Sequence, residues 1–505
     1  EAGIGKSRLL KAFSDRLGQE PHAQLRYHCS PYHVDNALYP IVQHYMRVAR
    51  FDSGDDTAAK FDKLETLLSR SGADVSAVAP ILALLLSLPA GARYGAMTLT
   101  PEQRKAQTFE TLIDNFTTLA ERGPVLMLFE DAHWIDPTTE ELLKEIVSLI
   151  VDRPVMVVIA HRPEWQAGFR NAPHATPLVL NRLRRARTGE LVKAAGGAEL
   201  PETVVEQILS RADGVPLYVE ELTQSVLEAG EAETEVPETL QASLQARLDR
   251  LGPAKHVAQV AAAIGREFGR ELLIAVIGDA ESELQTLLDR LVSSGLIHQQ
   301  GRSTDTSYAF KHALIQEAAY ESLLKSRRRA LHRDIAQALV DRAPAQAALL
   351  AYHWERAGDL EQAFTHRLRA AEQASSLHAV WEVISEYWSA LNLLDRMPGS
   401  PEIEPRRIGI LLSLIEPGSY FWRNEAERST AFRHLVSAIK SAAEAGRPAT
   451  LARLQAYKGS LWDDETLLAR AVENAQASGD KAAQARVAER CATYFGKHGL
   501  FERSH

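Results

Sequence analysis

The first eight residues, Glu1-Ala2-Gly3-Ile4-Gly5-Lys6-Ser7-Arg8, have the types and spacing to hold a phosphate. A phosphate-binding loop reads G-x-x-x-x-G-K-[ST]; Glu1 to Ile4 fill its free positions, and Gly5, Lys6 and Ser7 complete it. Glycine lets successive backbone N–H groups curl around an anion. Lys6 supplies a point charge for the outer phosphates, and Ser7 a hydroxyl for Mg²⁺. The positive end of the following helix points at the same place. Gly3, Gly5, Lys6, Ser7 and Arg8 are therefore the candidate nucleotide-binding residues of this stretch. The first glycine of the pattern would precede Glu1, so the amino terminus of the protein is expected upstream.

A second element belongs with the loop. Val125-Leu126-Met127-Leu128-Phe129 is a continuous apolar run of strand length, followed directly by Glu130 and Asp131. Buried parallel strands read this way, and ligands gather at their carboxyl ends. Acids placed there can hold Mg²⁺ and orient an attacking water. A third apolar run, Val155 to Ala160, leads to His161-Arg162, where Arg162 could sense a terminal phosphate. The competing readings are an acidic helix cap ahead of Asp136-Pro137 and a surface arginine. Cys29, His28 and His33 could be metal ligands, but three candidates without a partner cluster are poor grounds for zinc.

These residues require an α/β layer to position them, and the chain is long enough for more. It has 505 residues, and at roughly 150 residues per domain that implies about three domains. Hydrophobic residues make up 45% and charged residues 24%, which excludes disorder as the main state. A net charge of −9 leaves no global basic field for nucleic acid. Two distant cysteines exclude a disulfide scaffold and fit a reducing cytoplasm, the expected location. The most apolar stretch, Val75 to Leu88, is interrupted by Pro80 and is shorter than the roughly 20 residues of a membrane helix. It is read as a buried helix.

The run Phe129-Glu130-Asp131-Ala132-His133-Trp134-Ile135-Asp136-Pro137 resembles the signal-transduction ATPases with numerous domains, a class of AAA-related P-loop proteins. More narrowly, the chain is similar to the ATPase–repeat portion of large bacterial proteins with an amino-terminal class III adenylate/guanylate cyclase domain. Gly214-Val215-Pro216-Leu217-Tyr218 and Phe310-Lys311-His312-Ala313 carry the same resemblance. It implies ATP or ADP with Mg²⁺ as cofactors, with Lys6 and Ser7 at the phosphates and metal. Glu130 matches the first, metal-side acid and Asp131 the water-orienting one. Arg162 matches a sensor arginine, Pro216 a proline that backs the adenine, and His312 a histidine that reads the diphosphate. His133 and Trp134 follow the acids directly and could touch the nucleotide, with packing of Trp134 beneath the site the favoured reading.

The expected fold is a P-loop α/β core with a parallel sheet over 1–175, carrying a helical insert at about 40–120. An all-α lid and linker follow over 176–236, with an acidic stretch from Glu228 to Glu233. A winged helix is expected over 237–325, starting with a helix from Pro237. TPR-like helical repeats fill 330–505, where Gly446 and Gly479 stand 33 residues apart, close to the period of about 34 of such repeats. The chain is expected to continue beyond His505. The functional expectation is a slowly hydrolysing, nucleotide-dependent switch, with a protein or small-molecule inducer on the repeats and a cyclase domain upstream. The alternatives are the sensor part of a LuxR-type transcription regulator and a scaffold with a degenerate nucleotide site. Lys325-Ser326-Arg327-Arg328-Arg329 is basic, but the acidic chain and the embedded position of the winged helix argue against DNA as a partner.

Overall fold

The computed structural model describes residues 1–18, 20–52, 54–71, 73–95, 99–166, 168–229, 236–278, 281–300, 307–342, 346–415 and 425–498. The expected turn at 301–305 and the repeat turn at 499–502 lie outside the described residues, as does most of the 228–233 linker. The chain forms two compact units, 1–363 with 376–379, and 364–375 with 380–505.

The first unit opens with the loop and its helix, Lys6–Leu17. Three strands, β1 (Ala23–His28), β2 (Val125–Glu130) and β3 (Val155–Ile159), form a parallel sheet in the order β1-β2-β3. Every residue of β2 is buried, as its unbroken apolar run requires of a central strand with both faces covered. Alternation divides the strand between two layers. Leu126 and Leu128 pack with Leu10 of the loop helix. Val125, Met127 and Phe129 face the larger core built with the insert and the helix Pro137–Leu149. Full burial of each such side chain contributes about 1.5–3 kcal/mol.

The insert is helical: Tyr39–Val48, Thr57–Ser71, Val75–Leu85, Gly91–Tyr94 and Pro101–Arg122. The apolar stretch is indeed a buried helix, with Pro80 inside it and Ile81, Leu82, Ala83 and Leu85 in the core. Among the described residues no helix is long and apolar enough to cross a membrane. Asp136 ties the insert to the core. Its carboxylate caps the helix at Thr139 N (2.8 Å) and also accepts from Leu38 N at 2.9 Å.

Helices Arg185–Ala194, Glu202–Ala212 and Pro216–Ala229 form a small cluster around Val192, Ile208 and Val219. The expected all-α lid begins later than 176, since residues 176–184 are not helical. The next helix starts at Leu240 rather than Pro237, because the Thr239 hydroxyl accepts from Ala242 N and sets the cap there. Pro253–Ile264 follows, then β4 (Glu267–Gly269), a short strand that no sequence pattern announced. Helices Arg270–Ile277 and Glu281–Ser293 lead to β5 (Ile297–Gln300) and β6 (Ser307–Phe310). These strands form an antiparallel sheet in the order β4-β6-β5. This second subdomain, 240–323, ends with the helix Ala313–Glu321.

Helices Lys325–Arg342 and Ala347–Ala357 bury a histidine pair: His332 Nδ1 and His353 Nδ1 are 2.9 Å apart, and the Tyr320 hydroxyl lies 2.8 Å from His332 Nε2. Burial lowers the pKa of His332 to about 4 and that of His353 well below its ordinary value. Burial also lowers His33 to about 3. All three are neutral in the fold, whereas the unfolded chain takes up protons near pH 6.5. Their contribution is thus fully present above about pH 6.5 and is lost as pH falls through the folded values. Denaturant titrations should show unfolding free energy dropping between pH 7 and pH 4.5, with a shallower slope in His353→Gln. A pH-independent midpoint over that range would contradict this.

The second unit consists of helices stacked in sequence, including Val380–Arg396, Ile403–Ile415, Glu425–Glu444, Pro448–Leu461, Glu465–Ser478 and Lys481–Lys497. Small residues let the last three approach: Ala452, Ala456, Ala471 and Ala475 lie in their shared core with Leu468 and Val487. Gly446 and Gly479 both have positive φ, 60° and 67°, where each ends a helix. The P-loop-type α/β core is thus followed by a helical solenoid.

Candidate functional site

Gly3 and Gly5 both lie in the left-handed region, at φ 76° and 102°. The second of them caps the loop helix. The conformation therefore needs glycine at Gly5, which the motif demands, and at Gly3, which fills one of its free positions. Lys6 Nζ donates to the Glu1 carbonyl at 2.9 Å, so its ammonium points back over the loop. Burial lowers its pKa, and the Asp131 carboxylate opposes that shift. Ser7 and Arg8 are exposed on the first turn; Arg8 lies 3.9 Å from Glu220.

The acidic pair stands at the end of β2. Glu130 shares the face of Leu126 and Leu128 and is buried. Its carboxylate accepts from Arg26 Nε at 2.6 Å, an arginine of the neighbouring strand β1. Asp131 has φ 52°, which turns the chain out of the strand. Its Oδ2 accepts from Arg266 Nη1 at 2.8 Å and lies 3.8 Å from His28 Nε2. Burial, and then Arg266, lower the pKa of His28, so the neighbour that carries positive charge is Arg266.

Arg162 lies with its guanidinium 5.3 Å from the Trp134 ring centroid. Trp134 packs against the large core. His133 packs against Trp134 with the rings tilted by 40° and their centroids 4.2 Å apart. Burial and the charge of Arg162 lower the pKa of His133 to about 4, and both of its ring nitrogens are buried without a protein partner.

The Gly214-Val215-Pro216 turn reaches the loop directly. Leu217 N donates to the Gly3 carbonyl at 3.2 Å. Arg182 clamps the turn from the side, bonding Glu1 Oε1 at 2.6 Å and also Asp213. Gly214 is obligatory twice over: its φ is 73°, and a Cβ would stand 2.4 Å from the Leu183 carbonyl oxygen. His312 precedes the helix Ala313–Glu321, with Nε2 buried and unpaired. Burial lowers its pKa to about 4, helped by the charges of Lys311, Arg266 and His298.

The structure thus brings Gly3, Gly5, Lys6, Asp131, Arg162 and Pro216 into one region. His28, Cys29 and His33 disperse to different partners: His28 to Arg266, His33 to the Tyr39 ring at 3.8 Å, and Cys29 into the core. Sequence reasoning missed Arg26 and Arg266. Arg26 sits two residues before the end of a strand and would have needed the register to be known. Arg266 is 135 residues from Asp131, and no motif marks it.

Loop and acids together fit a nucleoside phosphate with Mg²⁺. The loop offers glycine-shaped backbone and a desolvated ammonium, and His133 has polar atoms without a protein partner. An uncharacterized protein of Rhizobium meliloti (strain 1021) is 30% identical over 436 residues, covering 82% of this chain and 42% of that protein. The chain therefore spans less than half the length of this curated relative. Among solved structures, a signal-transduction ATPase with numerous domains and a tetratricopeptide repeat sensor, from Pyrococcus horikoshii, aligns with a TM-score of 0.35 and 11% identity. That alignment covers 100% of this chain and 82% of the other. Over residues 1–158, the stretch that holds the loop, the acidic pair, β1, β2 and all but the last residue of β3, the chain matches the family of the AAA ATPase domain.

Proposed function

We propose that the chain is the ATP-binding, slowly hydrolysing part of a nucleotide-dependent signalling switch. The observation that carries this reading is the loop of two left-handed glycines and Lys6 at a helix start, set beside an acidic pair at the end of a buried strand. The match of residues 1–158 to the AAA ATPase domain supports it. Gly3, Gly5 and Lys6 would hold the phosphates, with Arg8 at the rim, and Ser7 and Glu130 would hold Mg²⁺. When bound, the metal supplies charge neutralisation at the phosphates. Asp131 orients and deprotonates water, Arg162 and His312 read phosphate state, and Pro216 backs the base. The lid and second subdomain would close over ATP and ADP differently, since only a differential contact can drive a switch. An inducer, protein or small molecule, would bind the helical repeats, and a class III cyclase domain would lie elsewhere in the full-length protein.

The test is Asp131→Asn in that full-length protein. Single-turnover hydrolysis should slow by about 10²-fold or more, while ATP affinity changes little. Equal hydrolysis, or a loss confined to binding, would remove Asp131 from the role of water-orienting acid.

A further inference from the structure

Each acid of the pair is answered by an arginine, but the two arginines come from different places. Arg26 belongs to the same sheet as Glu130 and would move with it. Arg266 belongs to the second subdomain, at the turn between the helix Pro253–Ile264 and β4. Its carbonyl accepts from Phe310 N at 2.9 Å, which fixes its backbone to the end of β6. Asp131 is held as firmly on its side, because Ala132 N donates to the Ala160 carbonyl at 2.9 Å. The ion pair is three-quarters or more shielded, with side chains 23% and 18% exposed. A second tie lies nearby: Gln316 Nε2 donates to the Tyr32 hydroxyl at 2.6 Å.

We propose that Arg266 is an autoinhibitory latch: it occupies the Asp131 carboxylate and holds the second subdomain on the core, so that hydrolysis waits for the subdomain to withdraw. This rests on the reading of Asp131 as the water-orienting acid. A carboxylate already bonded to a guanidinium is a poor acceptor for a proton from water. Because the Arg266 backbone adjoins β4 and is bonded to the end of β6, displacement of that sheet would carry the guanidinium away. The device links the domain's position to the availability of one oxygen atom. The other use of such an arginine, stabilising charge on a transferring phosphate, predicts the opposite effect of removing it.

The experiment uses full-length protein carrying Arg266→Ala, Arg266→Lys, Asp131→Asn, or Arg266→Ala with Asp131→Asn. Fluorescent-ATP binding, single-turnover hydrolysis and amide hydrogen exchange are measured on each. Arg266→Ala should hydrolyse faster by on the order of 10-fold at near-unchanged ATP affinity, and β4, β6 and residues 311–316 should exchange faster. Arg266→Lys should fall between it and the wild type. Asp131→Asn should produce the same rise in exchange, and adding Arg266→Ala to it should add little, since both remove one contact. Slower hydrolysis in Arg266→Ala would overturn the latch and make the arginine an aid to the reaction. Additive exchange effects would overturn it as well, by showing no coupling between the two side chains. A wild type that binds no ATP would instead sink the nucleotide reading, and the exchange cycle would still decide whether Arg266 and Asp131 lock the two parts together.

Discussion

Lys6→Ala is expected to weaken ATP binding by the full-length protein by about 10- to 150-fold, the worth of one charge-assisted hydrogen bond. The ammonium is half-buried at the loop, and burial has already lowered its pKa. It donates to the Glu1 carbonyl, a neutral acceptor that a phosphate oxygen would outcompete. Removing it leaves the helix end and the glycine-shaped backbone as sources of attraction. Titration calorimetry with and without Mg²⁺ measures the difference. Equal affinity in the variant would show that the loop is not a phosphate site.

Arg247→Ala is expected to cost about 3–5 kcal/mol of unfolding free energy at neutral pH, the range for breaking a buried ion pair. Arg247 and Glu221 have side chains 4% and 3% exposed and bond one another directly. The guanidinium also bonds Glu228 at 2.9 Å and the Ser294 carbonyl at 2.9 Å, so one truncation strands several acceptors. Burial raises the Glu221 pKa above its ordinary value even with Arg247 and Lys311 opposing it. In the variant the main opposing charge is gone. A carboxyl with a raised folded pKa favours the folded state below the unfolded value, near 4.5, and that contribution is lost as pH rises. The variant should therefore recover stability as pH falls towards 4.5, and Glu221→Gln in the same background should recover part of it at neutral pH. Guanidinium titrations across pH provide the check. A loss under about 1 kcal/mol would mean that water reaches the pair and screens it.

The candidate loop and acids were plainer in the sequence than the side chains that pair with them. β2 could be read because a strand buried on both faces must be apolar throughout, and the acids follow it without a gap. The helix Val75–Leu85 could be read despite Pro80, because its length and apolarity fit nothing else in a protein of this composition. The alternation of apolar runs and helical periodicity gave the α/β class, and the 33-residue glycine spacing marked helix ends that the positive φ values explain. β4 escaped notice because three residues, Glu267 to Gly269, are too few to show a period. Arg26 and Arg266 escaped because a charged side chain carries no periodic signal; its partner is set by register in one case and by the docking of a second sheet in the other.

The helix Pro216–Ala229 is fastened at both ends of its working length. Leu217 N donates to the Gly3 carbonyl of the candidate loop, while Glu221 and Glu228 hold Arg247 of the second subdomain. At about 1.5 Å rise per residue, these attachments lie roughly 6 Å and 16 Å along one rod from the loop. An α-helix of that length is stiff along its axis, so it behaves as a pushrod rather than a tether. Axial displacement of the Gly3 carbonyl would therefore reach Arg247 through the rod rather than being lost along it.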